Sequence, residues 1–371
     1  MKKFISRKHI FFLLHVLIFT CLYAGVYAQQ NKKPVQNCST KTPLSITIFT
    51  QEQLNDPART IDYLYVIRVY VHILRNNDGS NAATTETQMY VDLQTMSNFF
   101  KPHNICFMFV GFDYINNTFL NNSMTPGLAA DEAALIANNK HNDAIDIYVH
   151  TSLGDGSGGN SYNIPSDHLS VVQSANFNFY HEMGHCLGLL HTFETANGTE
   201  CPDGSNCNSS GDLICDTQAD FAGSQNMVTP PNSCAFTGNQ TIFCNGGTRA
   251  YNPPVNNIMS YWAACYSQFT AQQATRMRAT ILNATIVNKC LVPANADLYA
   301  ASSNITIMNE WYLAAKNEIN IGTLTSGNTV LIGGGNGKKY INGGTKITLK
   351  AGTVVLPAVG ATKFFINPLC N

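Results

Sequence analysis

Residues 63–73, YLYVIRVYVHI, are aliphatic, β-branched or aromatic at almost every position, the pattern of a central strand covered on both faces. His72 within it reads as an ordinary strand histidine. After threonines able to cap a helix, Met89, Val91, Leu93, Met96, Phe99 and Phe100 recur at near-helical spacing over 85–100. A second apolar run at 105–110 completes strand, helix, strand, the opening of an α/β layer with a parallel pair. Residues 131–137 then predict a short helix or turn and 144–150 a third strand. The glycine-rich stretch 154–159 has no GK[ST] behind it to cradle a phosphate, so it reads as a loop. It lies beside an edge strand at 169–172 whose main-chain groups can hold an extended peptide. A helix follows over 176–187 with Phe177, Tyr180 and Leu187 on its packed side. The last helix, 270–282, opens with a capping box of Thr270 and Gln273. Beyond 293 the pattern changes. Short apolar runs at 305–307, 318–321, 329–332, 346–349 and 353–356, divided by glycine and asparagine turns, predict a small all-β appendage, with stacked β-arches suggested over 334–356.

At 371 residues the chain is long enough for two or three domains. Charged residues make up 12% and the net charge is -1, which argues against a nucleic-acid binder or a polybasic membrane anchor. Lys2, Lys3, Arg7 and Lys8 precede an apolar run from 10 to 26 that ends in Val26-Tyr27-Ala28, the layout of a signal peptide cleaved after Ala28. Secretion, with no stable membrane span after cleavage, is expected; a retained anchor or a lipid on Cys21 are the alternatives. Cysteine usage agrees with export. Of 12 cysteines Cys21 leaves with the signal, and Cys201, Cys207, Cys215, Cys234, Cys244 and Cys265 crowd one region. That density predicts disulfides; a zinc site built from these cysteines lacks the paired CxxC spacing it would need.

Between Tyr180 and Thr192 the chain reads HExxHxxGxxH. His181 and His185, four apart on a helix of 3.6 residues per turn, present both imidazoles on one face to one metal ion. Gly188 can take the φ > 0 conformation that ends the helix and returns His191 as a third zinc ligand. Glu182 is not needed for coordination and is free to take a proton from a water in the open fourth position. In the preceding polar leader, 29–60, Cys38 is a candidate thiolate latch for that position, against the simpler alternative of a disulfide partner. Downstream, Asp212, Asp216 and Thr217 supply hard oxygen ligands for Ca2+ or, equally, turn caps. Met259 taken alone is a core methionine. Its place after a long zinc motif makes it the candidate for a tight turn beneath the metal, with Tyr261 two residues on.

Taken together, HExxHxxGxxH with its His191-Thr192-Phe193 continuation, the GDxxxDT segment from Gly211 to Thr217, Ile258-Met259-Ser260-Tyr261, and Phe269-Thr270 with Arg276-Met277 resemble the pappalysin (cytophagalysin) family of metzincin zinc metallopeptidases. The resemblance covers roughly 61–290. It implies an α/β (α+β) catalytic domain with a twisted mixed sheet and an active-site helix. It further implies zinc on His181, His185 and His191, Glu182 as general base and acid, Met259 in the Met-turn, Tyr261 assisting the transition state, and Asp212, Asp216 and Thr217 in a structural calcium segment. Disulfides Cys207–Cys244 and Cys234–Cys265 are implied too, with Cys201 and Cys215 as competing partners. One departure is Ala263-Ala264, where relatives that cleave before basic residues carry an acidic side chain, so that preference is not carried over. The organisation expected is a signal peptide 1–28, a leader or pro-segment 29–60, a catalytic domain 61–292 and a β-rich accessory domain 293–371. The function expected is that of a secreted zinc endopeptidase acting on protein or peptide substrates. The rival is a surface-binding or adhesion protein with a structural zinc site, in which the β appendage makes surface or glycan contacts.

Overall fold

The structure is a computed structural model and describes residues 38–43, 64–173, 178–227, 234–309, 311–333, 338–356 and 362–366. The expected signal peptide, 1–28, and all of the leader other than 38–43 lie outside the described residues.

The region expected to be catalytic is built on β1 (Tyr65–Arg75), β2 (Ile105–Asn116), β3 (Ile145–His150), β4 (Gly159–Asn160) and β5 (His168–Val172). They form one mixed α/β sheet in the order β2-β1-β3-β5-β4, parallel throughout except where β4 runs against β5. β5 is therefore an inner strand, and the edge expected at 169–172 belongs instead to β4. Two residues are too few for periodicity to reveal a strand.

On one face, Ile67, Val69, Val71 and Ile73 of β1 meet Met89, Leu93, Met96 and Phe100 of helix α1 (Glu86–Phe100), whose cap is Thr85. A shorter helix, α2 (Ala129–Ile136), precedes β3. Helix α3 (Asn178–Cys186) adds Phe179, Met183 and Cys186 to the same core. Full burial of each large apolar side chain is worth about 1.5–3 kcal/mol, so the helix bearing the zinc motif is held by its packed side. A hairpin of β6 (Thr241–Cys244) and β7 (Gly247–Ala250) lies in the cysteine-rich segment, and helix α4 (Ala271–Asn283) carries the predicted capping box.

The C-terminal strands are β8 (Ala296–Ala300), β9 (Ile305–Ile307), β10 (Trp311–Ala315), β11 (Glu318–Thr323), β12 (Val330–Ile332), β13 (Lys339–Gly343), β14 (Lys346–Leu349), β15 (Thr353–Val355) and β16 (Thr362–Ile366). Every third strand pairs in parallel, giving sheets β14-β11-β8, β15-β12-β9 and β10-β13-β16, a three-sided coil around Ala300, Ala315, Ile319, Ile321, Val330, Ile332 and Ile341. The coil seats against β2. There Tyr70 pairs with Gly111 while Val69 pairs with Phe109, leaving Val110 as a bulge. A Cβ on Gly111 would lie 2.6 Å from the Tyr70 ring and 3.0 Å from that of Tyr340. Glycine thus admits Tyr340 into the core of the five-stranded sheet, and Asn342 Nδ2 donates to Phe109 O at 2.9 Å beside it.

Candidate active site

α3 carries His181, Glu182 and His185, and the chain must turn before His191 can face them. Gly188 makes the turn. At φ +89° it is left-handed, Leu189 N–H donates to Gly184 O at 3.0 Å and Gly188 N–H to His185 O at 2.9 Å, the bonds of a Schellman cap. The cap also orients a ligand: His185 Nδ1 bonds Leu189 O at 2.8 Å, as His181 Nδ1 bonds Ile258 O at 2.7 Å. Each Nε2 is thereby left for a metal. His191 Nε2 stands 3.1 Å from His185 Nε2.

The three imidazoles are buried. Burial pushes His181 down to about 4 and holds His185 and His191 well below the usual histidine range, helped in the last two by the neighbouring rings. The rings are therefore neutral at pH 7, the form that binds a cation. His181 Nε2 and Glu182 Oε1 are buried with no hydrogen-bond partner among the described residues. Such orphans are costly unless a ligand satisfies them. Burial also pushes Glu182 up to about 8, against the bonds it accepts from Cys38 and Thr40.

Cys38 is a free, buried thiol, so the disulfide alternative for it does not hold. Its Sγ lies 3.4 Å from Glu182 Oε2 and 3.5 Å from His185 Nε2. One ligand atom from each of Cys38, His181, His185 and His191 falls within 4.8 Å of the others. Three histidines and a thiol are a tetrahedral donor set suited to zinc. The segment is tied in place on both sides: Ser39 N–H donates to Gly159 O at 3.0 Å on β4, and Thr40 Oγ1 donates to Glu182 Oε2 at 2.9 Å.

Met259 lies under α3, its Sδ 2.5 Å from where a Cβ on Gly184 would stand, so the glycine between the two histidine turns makes room for the methionine. Its carbonyl accepts from Thr192 N–H at 3.1 Å, next to His191. Tyr261 puts its ring 5.1 Å from that of His191 and donates its hydroxyl to the Cys38 carbonyl at 2.7 Å. Tyr266, which sequence patterning did not single out, stacks on His181 at 5.9 Å and donates to Ser260 O.

Residues 160–282 match the model of a peptidase family described as pregnancy-associated plasma protein-A. The chain is a pappalysin-like metallopeptidase. Extracellular metalloproteases of Neurospora crassa and Sordaria macrospora are each 26% identical to it over 232 residues, 57% of this chain and 72% of theirs. The crystal structure of metalloproteinase-II from Bacteroides fragilis aligns over 47% of this chain and 57% of its own, at 11% identity and a TM-score of 0.27.

In this pappalysin-like metallopeptidase the expected calcium trio divides. Thr217 Oγ1 lies 3.0 Å from both carboxylate oxygens of Asp212, but Asp216 caps α4, accepting from Thr270 Oγ1 at 2.6 Å and Gln272 N–H at 2.9 Å. In its place stands Glu200, whose Oε2 is buried without a partner among the described residues. Burial pushes Asp212 up, as does the charge of Glu200, and burial raises Glu200 to about 7. No spacing rule links Glu200 to Asp212; Gly211 does, since a Cβ there would sit 2.5 Å from Glu200 Oε2. Of the two implied disulfides, Cys234–Cys265 forms, whereas Cys244 bonds Cys201 and Cys207 bonds Cys215. Among the described residues no helix is long and apolar enough to cross a membrane.

Proposed function

We propose that the chain is a secreted zinc endopeptidase that hydrolyses peptide bonds of protein substrates, with a metzincin-like catalytic domain, and that it is held latent by Cys38. The observation carrying this is the ring of neutral imidazoles whose buried His181 Nε2 lacks a partner, closed by a free thiol. Zinc held by His181, His185 and His191 would polarise a scissile carbonyl and make a water acidic. Glu182 takes the proton of the attacking water and delivers it to the leaving amine, and its burial suits it to hold a proton between those steps. Tyr261 donates to the oxyanion; the hydrogen bond it now gives the Cys38 carbonyl is the one a substrate carbonyl would receive. Cys38 bridges Gly159 on the edge β4 that an extended substrate needs, and Ser39 N–H bonds Gly159 O, so the segment must leave before cleavage. Replacing Glu182 by alanine should lower kcat by about 10²–10⁴-fold while zinc content by atomic absorption stays at the wild-type level; a Glu182→Ala enzyme of near-normal turnover overturns the assignment.

Asp212, Thr217 and Glu200 fit a structural Ca2+: the charge of Glu200 is felt at the buried Asp212, Arg276 beside Asp212 offsets one of the two carboxylates, and a cation would stabilise both as anions. Calcium at 100 times its Kd should stabilise the fold by about 2.7 kcal/mol, read as a higher Tm. Glu200→Gln should abolish the calcium response, and a response that survives it places the ion elsewhere.

A further inference from the structure

The sheet has a second histidine cluster on the face turned away from α3. His72 on β1 and Asp113 on β2 are direct cross-strand neighbours, and Asp146 on β3 lies diagonal to His72, opposite Tyr70. His72 Nδ1 meets Asp113 Oδ1 at 2.7 Å and its Nε2 meets Asp146 Oδ1 at 3.0 Å. His141, from the loop between α2 and β3, brings Nδ1 to the same Asp146 Oδ1 at 2.7 Å, while its own N–H donates to Asp146 Oδ2 at 2.9 Å. Asn139, left-handed at φ +58°, closes the loop by donating to Asp113 Oδ2 at 2.7 Å.

We propose that His72, His141 and Asp146 form a second metal site, for a structural zinc ion, with Asp113 as the carboxylate that orients His72. Two imidazoles and a carboxylate are a zinc-type donor set, and their three ligand atoms lie within 4.8 Å of one another. Bonds of 2.0–2.1 Å in a tetrahedral site put ligand atoms about 3.3 Å apart. The 3.0 and 2.7 Å gaps here need open only slightly, and the catalytic pair His185–His191 sits at a similar 3.1 Å. Asp113 on the far nitrogen of His72 completes the carboxylate–histidine–metal relay that fixes a ligand's tautomer. The rings are held as well. Tyr148 stacks on His72 at 4.5 Å and Tyr70 on His141 at 3.9 Å.

Charge favours a cation. Asp113 and Asp146 bring two carboxylates to a largely buried site; against its burial they raise His72, whose proton a metal ion would displace, while the neighbouring Lys140 and Arg68 are engaged elsewhere, with Asp167 and Asp143. The side chains of His141 and Asp113 keep 15% and 21% of their surface open, which leaves an entry path and a fourth position for water. On binding, the hydrogen between His72 Nε2 and Asp146 leaves to solvent, and that on His141 Nδ1 leaves or moves to Nε2; no electrons transfer. The ion would bolt the loop over 137–144 to β1 and β3.

Full-length protein stripped with a chelator and titrated with Zn2+ should bind one more equivalent than the catalytic centre accounts for. His185→Ala should keep that equivalent, adding His141→Ala should weaken it at least 100-fold, and Asp113→Asn should weaken it about 10–100-fold. Peptide hydrolysis by His141→Ala alone should stay at the wild-type level, which separates this site from the catalytic one. Should His141→Ala fail to fold, the wild-type stoichiometry and Asp113→Asn decide. A single equivalent in the wild type, or one that persists in the His141→Ala/His185→Ala chain, overturns the proposal and leaves the cluster as a hydrogen-bonded ion pair.

Discussion

The two histidine clusters occupy opposite faces of one sheet and are satisfied in opposite ways. On the α3 face, His181 Nε2 and Glu182 Oε1 end without partners among the described residues, while a thiol from a distant segment contacts Glu182 Oε2 and His185 Nε2. On the other face, His72, Asp113, His141 and Asp146 bond to one another through every ring nitrogen that the strands bury. The first is a site built to exchange its occupant, since what sits there now is tied by strand pairing and weak thiol contacts that can be undone together. The second is closed on itself, because its imidazoles and carboxylates already bond one another in a largely buried layer where separating them is costly.

That contrast can be broken from either side. Asp146→Ala leaves buried imidazoles facing Asp113 alone and should cost about 3–5 kcal/mol, measured by denaturant unfolding, while kcat of the folded fraction is unchanged; a matching fall in kcat would mean the faces are coupled. Gly188→Ala acts on the α3 face. Its φ of +89° and a Cβ placed 2.3 Å from Thr280 Oγ1 predict a loss of about 1–3 kcal/mol, together with weaker zinc retention as His191 is displaced. Unfolding curves and chelator competition would report the two losses separately. Cys38→Ala should leave stability nearly unchanged and raise the turnover of the unprocessed chain on the order of ten-fold, about 1.4 kcal/mol of released competition. Unprocessed Cys38→Ala protein as silent as the wild type would show that strand pairing on β4 alone enforces latency.

The α3 face was legible because its chemistry is local. His181, Glu182, His185, Gly188 and His191 fall within eleven consecutive residues, and helical periodicity plus one left-handed glycine already fix their relative directions. Met259 and Tyr261 could be placed only through their position after the long zinc motif and the family resemblance, since a methionine near aromatics is ordinary core. The other face was not legible. His72 looked like a strand histidine because Asp113, His141 and Asp146 come from two further strands and a loop, and nothing local states that β2 and β3 flank β1. The same blindness split the calcium segment: Asp216 has the right spacing from Asp212 but is claimed by the start of α4, while Glu200 arrives from before the cysteine cluster.

By itself the sequence determined the helix that bears the zinc motif, its stop, the parallel β1–β2 pair and the kind of chemistry three histidines and a glutamate can perform. All of these follow from residues near in sequence, where backbone geometry leaves little choice. Only the tertiary structure decided that Cys38 lies against Glu182 and His185, that Gly159–Asn160 is the edge strand, that Tyr340 of the C-terminal coil enters the core beneath α3, and that His72 meets Asp113 and Asp146. The contacts of His72, Cys38 and the C-terminal coil join residues 41 to more than 200 positions apart, and long-range contacts of that kind are selected by packing of the whole core rather than by any local preference.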